Sequence, residues 1–171
     1  MKNLQVARRI RRGDRLLRER FHDPYRAGEK LRQKTFCPQC GVTYRNGRWT
    51  WPGTEARGLM RQLCPACRRI NDRYPAGEIV VSGSFLSAHK AEILTTINHV
   101  AEAERAEHPL NRIMSIDEED GSLVISTTDV HLPHRIGHAI RDAWGGTMKT
   151  HYDIEGCFTR VQWERDDSKD A

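Results

Sequence analysis

Apolar positions along this chain fall into two regimes, sparse in the first 75 residues and regularly patterned after them. Past Pro75-Ala76-Gly77, strand-like and helix-like patterns alternate. Glu78 to Phe85, through Ile79, Val80 and Val81, predicts a strand. Ser87 reads as the cap of a helix running to about His108, with Ile93, Leu94, Ile97, Val100 and Ala101 on one face and Pro109 as its stop. Arg112 to Asp117 and Ser122 to Thr127 predict a hairpin about Glu118-Glu119-Asp120-Gly121. Asp129 then caps a helix from Val130 to Trp144 that tolerates Pro133 in its first turn and ends at Gly145-Gly146. Thr147 to Asp153 and Cys157 to Glu164 predict two last strands. The order is βαββαββ, an α+β sandwich of one antiparallel-rich sheet under two helices, over residues 76–165.

The front of the chain follows shorter patterns. Val42-Thr43-Tyr44-Arg45 and Arg48-Trp49-Thr50-Trp51 flank Asn46-Gly47, the dipeptide best suited to the two positive φ angles of a type I′ turn, so a β-hairpin is predicted. Pairing across that turn sets Arg45 against Arg48 and Tyr44 against Trp49, and places Val42, Tyr44, Trp49 and Trp51 on one face. Thr54 reads as the cap of a short helix through Met60, and Pro65 opens another that ends near Tyr74-Pro75. Residues 1–36 read as a basic helical arm. Arg8, Arg9, Arg11, Arg12, Arg15, Arg18 and Arg20 cluster around a sparse apolar set, Leu4, Ile10, Leu16 and Leu17, too little of a stripe to fold without a partner.

Composition sharpens this division. Apolar residues make up 37% of the 171 and charged ones 30%, so the chain suits a small module plus one compact domain better than a single large core. Residues 1–75 hold 19 Lys/Arg against 6 Asp/Glu, and residues 76–171 hold 9 against 17, a dipole of +13 then −8. The basic front suits a polyanion, and arginine in place of lysine suits phosphate. Residues 166–171 form an acidic tail. Neither a run of eighteen apolar residues nor a charged n-region before an apolar h-region is present, which predicts no membrane partner and a reducing, cytoplasmic location.

Candidate chemistry centres on Cys37-Pro38-Gln39-Cys40 and Cys64-Pro65-Ala66-Cys67, two Cys-x-x-Cys knuckles with twenty-three residues between the inner cysteines. Two residues between thiolates let both sulfurs of a turn reach one metal, and two knuckles fill a tetrahedron. One structural Zn²⁺ on Cys37, Cys40, Cys64 and Cys67 is expected, with no position left for water or substrate; residues 37–75 are then a four-cysteine zinc-ribbon module. The alternatives, a redox dithiol or a disulfide framework, lack a βαβ context or an export signal. The aromatic hairpin face has two readings, a cover for the metal site or a platform on which Trp49 stacks a nucleobase. His131, His134 and His138 share one helix face, where a metal competes with a solvated row. Cys157, in step with Thr159, Val161 and Trp163, reads as core. With no phosphate loop, nucleophile elbow or His-Glu-x-x-His motif, and with the acids of the hairpin tip read as solvated, neither an enzyme nor a small-molecule substrate is expected.

Cys37 to Gly41, the Gly47-Arg48-Trp49 hairpin and Leu63-Cys64-Pro65-Ala66-Cys67-Arg68, followed by a βα-rich domain, resemble the front of the nuclear export adaptor of the large ribosomal subunit and its archaeal relatives. They resemble still more a small bacterial family of zinc-ribbon proteins. The resemblance covers roughly residues 23–165 and implies binding to the ribosome or rRNA. Adaptor chains carry further cysteines for a second metal and later domains with export signals, so export is not implied. The expectation is therefore a zinc-ribbon RNA-binding protein associated with the large subunit or rRNA, acting by binding, with the acidic domain packed on ribosomal protein or RNA. Arg8, Arg9, Arg11, Arg12, Arg45, Arg48, Arg68 and Arg69 are the expected phosphate contacts. A zinc-ribbon DNA-binding regulator and a protein-interaction adaptor are the rivals.

Overall fold

A computed structural model describes residues 23–25, 31, 34–51, 58–153 and 157–167. Most of the expected arm, including Arg8, Arg9, Arg11 and Arg12, lies outside the described residues, as does the acidic tail from residue 168. The fold is α+β, and its described part has two mixed sheets and three helices.

The smaller sheet holds the front of the chain. Strands β1 (Thr35–Phe36), β2 (Thr43–Arg45), β3 (Arg48–Thr50) and β4 (Met60–Arg61) lie in the order β3-β2-β1-β4. The hairpin has the expected register, Thr43 on Thr50, Tyr44 on Trp49 and Arg45 on Arg48. Its turn takes φ of 50° at Asn46 and 82° at Gly47, as a type I′ turn requires. Strands β1 and β4 were not expected; two residues are too few to show a period. Met60 is a correction, since it lies in a strand parallel to β1 rather than at the end of a helix, and residues 54–57 lie outside the described set. Helix α1 (Pro65–Asp72) begins at the predicted proline and stops where Arg73 turns left-handed at φ 52°.

The larger sheet runs β6-β7-β5-β9-β8, from β5 (Gly77–Ser82), β6 (Ile113–Glu119), β7 (Ser122–Thr127), β8 (Thr147–Tyr152) and β9 (Thr159–Glu164). Only the β5–β9 pair is parallel. With α2 (Ser84–Glu107) and α3 (Leu132–Trp144) the order is the expected βαββαββ. Period-two burial on β5, β7 and β9 sends Ile79, Val81, Leu123, Ile125, Val161 and Trp163 into the core. The apolar stripes of α2 and α3 meet them through Ile93, Ile97, Leu132, Ile136 and Ile140. Glu104 of α2 is buried, accepts from Asn111 and pairs with Arg135 of α3, which clamps the helices together.

Element boundaries differ where turn chemistry prevails over pattern. Strand β5 ends at Ser82 because Gly83 turns the chain at φ 104° against the Arg165 carbonyl, where a Cβ would overlap. Helix α2 therefore starts three residues before Ser87, and the cap signal there lies close to a break in helical geometry at His89. The β6–β7 turn is only Asp120-Gly121, both at positive φ, so Glu118 and Glu119 belong to the strand. The N-cap of α3 is His131 and the helix opens at Leu132, later than expected; Asp129 stands two residues ahead and accepts from the amides of His131 and Leu132. Cys157 precedes β9, half-buried in a turn where its amide donates to Asp153.

Candidate metal centre

The two knuckles are built locally and brought together by the small sheet. In the first, Gly41, at φ 85°, lets its amide donate to the Cys37 carbonyl at 2.9 Å, while the Cys37 amide donates to Val42 at 2.8 Å. In the second, Cys64 is the N-cap of α1, extended at φ −70° and ψ 160°, and its sulfur accepts from the Cys67 amide at 3.5 Å. A helix N-terminus favours an anionic sulfur at that position. The Cys64 amide in turn donates to the Cys37 sulfur at 3.3 Å, stitching one knuckle to the other.

All four sulfurs lie within 4.8 Å of one another. Cys40 and Cys64 are 3.6 Å apart at sulfur, close to the edge of about 3.8 Å that a tetrahedron with metal–sulfur bonds of about 2.3 Å demands and far outside the S–S bond length of about 2.05 Å. Cys37, Cys64 and Cys67 are buried and Cys40 half-buried. The donor set is sulfur alone, closed and soft, and it fits a tetrahedral divalent metal. On the protein groups alone, the sulfurs cannot all be ionised. The hydrogen bond shared with Cys64 holds the Cys40 thiol well below its ordinary value, and the same bond and burial hold Cys64 well above it. Burial, then the Cys40 hydrogen bond, pushes Cys67 up as well.

One cation answers that charge, and it comes from the connection between α2 and β6. Arg112, at the entrance to β6, is buried, and its guanidinium donates to the sulfur of Cys40 at 3.1 Å, of Cys67 at 3.5 Å and of Cys64 at 3.9 Å. Its Nε donates to the Pro109 carbonyl at 2.6 Å and its amide to the Thr128 hydroxyl, so the side chain is held from both ends. Burial works against the cation, but the Cys40 hydrogen bond and the nearby sulfur charges outweigh it and raise the Arg112 pKa. Around this contact, Trp51 donates its indole N–H to the Arg105 carbonyl at 2.8 Å and lies within 6 Å of the Arg105 and Arg112 guanidinium carbons. Leu110 packs against the cysteine cluster with Trp49, Trp51 and Leu63.

The predicted side chains separate into distinct environments. The hairpin's aromatic face covers the cysteine cluster, the plainer of its two readings, with Val42 fully buried and Trp49 half-buried. Arg45 and Arg48 stand opposite each other, and neither guanidinium has a hydrogen bond or ion pair among the described residues. Arg68 donates to the Tyr25 carbonyl at 3.0 Å but leaves its Nε without a partner. Arg69, only 3% exposed, donates to Asp23 at 2.5 Å and to the Tyr74 carbonyl at 3.1 Å, with Tyr25 against its guanidinium, so it is held inside the fold.

The histidine row also resolves. His134 and His138 place their Nε2 atoms 3.2 Å apart, and Arg141 donates to Nδ1 of His138 at 2.7 Å. A guanidinium can only donate, so Nδ1 of His138 accepts from Arg141 while its Nε2 faces that of His134. His131 is exposed.

The architecture and site define a four-cysteine, metal-binding module joined to an α+β domain through a buried arginine. Comparison with protein-family models, curated proteins and solved structures finds no match.

Proposed function

We propose that this chain is a zinc-ribbon RNA-binding protein that associates with the ribosome through the large subunit or rRNA and acts by binding. The all-sulfur, closed donor set supports Zn²⁺ as the ion, with a structural role. The observation that carries RNA binding is the Arg45–Arg48 pair. Like charges directly opposite on two strands destabilise a hairpin, and no described group offsets them, so the arrangement makes sense when an anion bridges them. The front half's excess of 13 positive charges points the same way. Ribosomal association rests on the resemblance of the knuckles and hairpin to the export-adaptor family.

The test is sedimentation of the zinc-loaded chain with ribosomal subunits, together with affinity for an rRNA fragment across a salt series. Co-migration with large subunits at low salt is expected, and Arg45→Gln with Arg48→Gln should make the dependence of affinity on log salt shallower by about one unit for each phosphate no longer neutralised. RNA affinity without co-migration removes the ribosome from the reading; no RNA affinity at low salt overturns it.

A further inference from the structure

Between the hairpin and the second knuckle lies a cleft of about 220 Å³, walled by Tyr44, Trp49, Leu63 and Leu110, with Gln62 and Arg68 also lining it. Tyr44 and Trp49 meet edge to face at 5.5 Å and hold their rings apart from a flat stack. Three side-chain polar groups here have no partner among the described residues: the Trp49 indole N–H, the Gln62 carboxamide and the buried Nε of Arg68. Unpaired donors beside an apolar, aromatic wall suit a flat ligand whose edge carries acceptors. The volume is below the about 300–1,000 Å³ of sites for larger small molecules, and it suits a single heterocycle. Arg68, which lines the cleft, supplies positive charge where a phosphate attached to that ring would run.

We infer that this cleft takes one unstacked base of a single-stranded RNA, with Trp49 and Leu63 against its faces, Gln62 on its edge and Arg68 on the adjoining phosphate. The inference rests on the RNA-binding reading above and narrows it. A base paired in a duplex presents only its groove edges and cannot enter, so the preference runs to loops, bulges and ends.

The experiment compares a fluorescently labelled oligouridylate, which stacks little in solution, with an oligomer of equal length bearing ribose and phosphate but no bases, both titrated with the full zinc-loaded chain. The wild type should bind the base-bearing oligomer on the order of tenfold more tightly. Gln62→Ala, which removes a side chain with no internal partner, and Trp49→Leu should each shrink that preference while leaving affinity for the abasic oligomer unchanged. Zinc content and melting temperature establish that each variant is folded. If both oligomers bind equally well to the wild type, or if Gln62→Ala keeps the full preference, the cleft is no base site and phosphate binding alone survives. If neither oligomer binds at low salt while an rRNA fragment does, the cleft assignment also falls. Loss of all three overturns the RNA-binding reading itself.

Discussion

Replacing Arg112 by methionine tests how the metal centre and the α+β domain depend on each other. A dication on four thiolates carries a net double negative charge, and Arg112 supplies the only described cation among those sulfurs, with donor distances from 3.1 to 3.9 Å. Charge-assisted hydrogen bonds contribute about 1.5–3 kcal/mol each, and partners lying behind the ligands of a metal typically change its affinity by about 10–100-fold. At about 1.4 kcal/mol per tenfold, the 10–100-fold range matches the shortest of the three bonds alone, the 3.1 Å contact with Cys40, so a loss of roughly 1.5–3 kcal/mol of metal binding is expected. Methionine preserves much of the side-chain bulk against Trp51, so packing is largely held constant while the charge and its three donors disappear.

Arg112→Lys separates charge from geometry. An ammonium keeps the charge but cannot span three sulfurs and the Pro109 carbonyl as a planar guanidinium does, so its affinity should fall between the two. The assay is competition for zinc against a chromophoric chelator at fixed pH, with circular dichroism of the zinc-saturated proteins as a check on folding. If Arg112→Met holds zinc as tightly as the wild type and melts at the same temperature, the guanidinium does not stabilise the centre, and packing with the Trp51–Arg105 hydrogen bond carries the link.

Four other perturbations have definite outcomes. Arg48→Thr should raise the melting temperature, by an amount matching about 0.2–1 kcal/mol, while weakening rRNA binding, because it relieves the cross-strand repulsion and takes away a phosphate-binding group. Gly83→Ala should destabilise the chain by at least about 1–3 kcal/mol in urea titration, since φ is 104° and the new Cβ meets the Arg165 carbonyl. Burial, followed by the neighbouring His138, Arg141 and His131, lowers the His134 pKa; its stabilising effect is present above pH 6.5 and is lost as pH falls through the lower folded value, so His134→Gln should flatten the acid limb of stability against pH. A strong chelator should open Cys37, Cys40, Cys64 and Cys67 to alkylation, which mass spectrometry of tryptic peptides reads directly, and protection that survives it would contradict a metal at this site.

Much of the second domain was legible because its period is clean. Ile79, Val81, Val161 and Trp163 alternate without interruption, and both helices carry an apolar stripe over several turns. Boundaries slipped where one backbone angle outweighs a side-chain signal: Gly83 ends β5 before the apolar run does, and Asp120-Gly121 suffices for a turn that four residues were expected to make. Strands β1 and β4 lie below the length at which alternation is visible. Arg69 illustrates a different limit, since its neighbour Arg68 has the same chemistry and only the helix phase, which turns Arg69 toward Asp23 and Tyr25, separates the internal cation from the one lining the cleft.

The metal ligands and their arginine differ in the kind of information that specifies them. A knuckle is a local device, because the spacing within Cys37–Cys40 and within Cys64–Cys67 already places two sulfurs in one turn. Arg112 lies 72 residues beyond Cys40, and nothing in Asn111-Arg112-Ile113 distinguishes it from an arginine at the start of an exposed strand. Its role arises from the tertiary fold, because the connection from α2 to the edge strand β6 brings Arg112 against the cysteines. Pro109, fixed after the helix, presents the carbonyl that orients the guanidinium, and Thr128 anchors the backbone behind it. An all-sulfur site close to a second domain leaves a buried negative charge that some group in that domain must answer. The residue to seek in such a sequence is therefore an arginine in the connection leading to an edge strand, and the test of its role is whether zinc affinity depends on it.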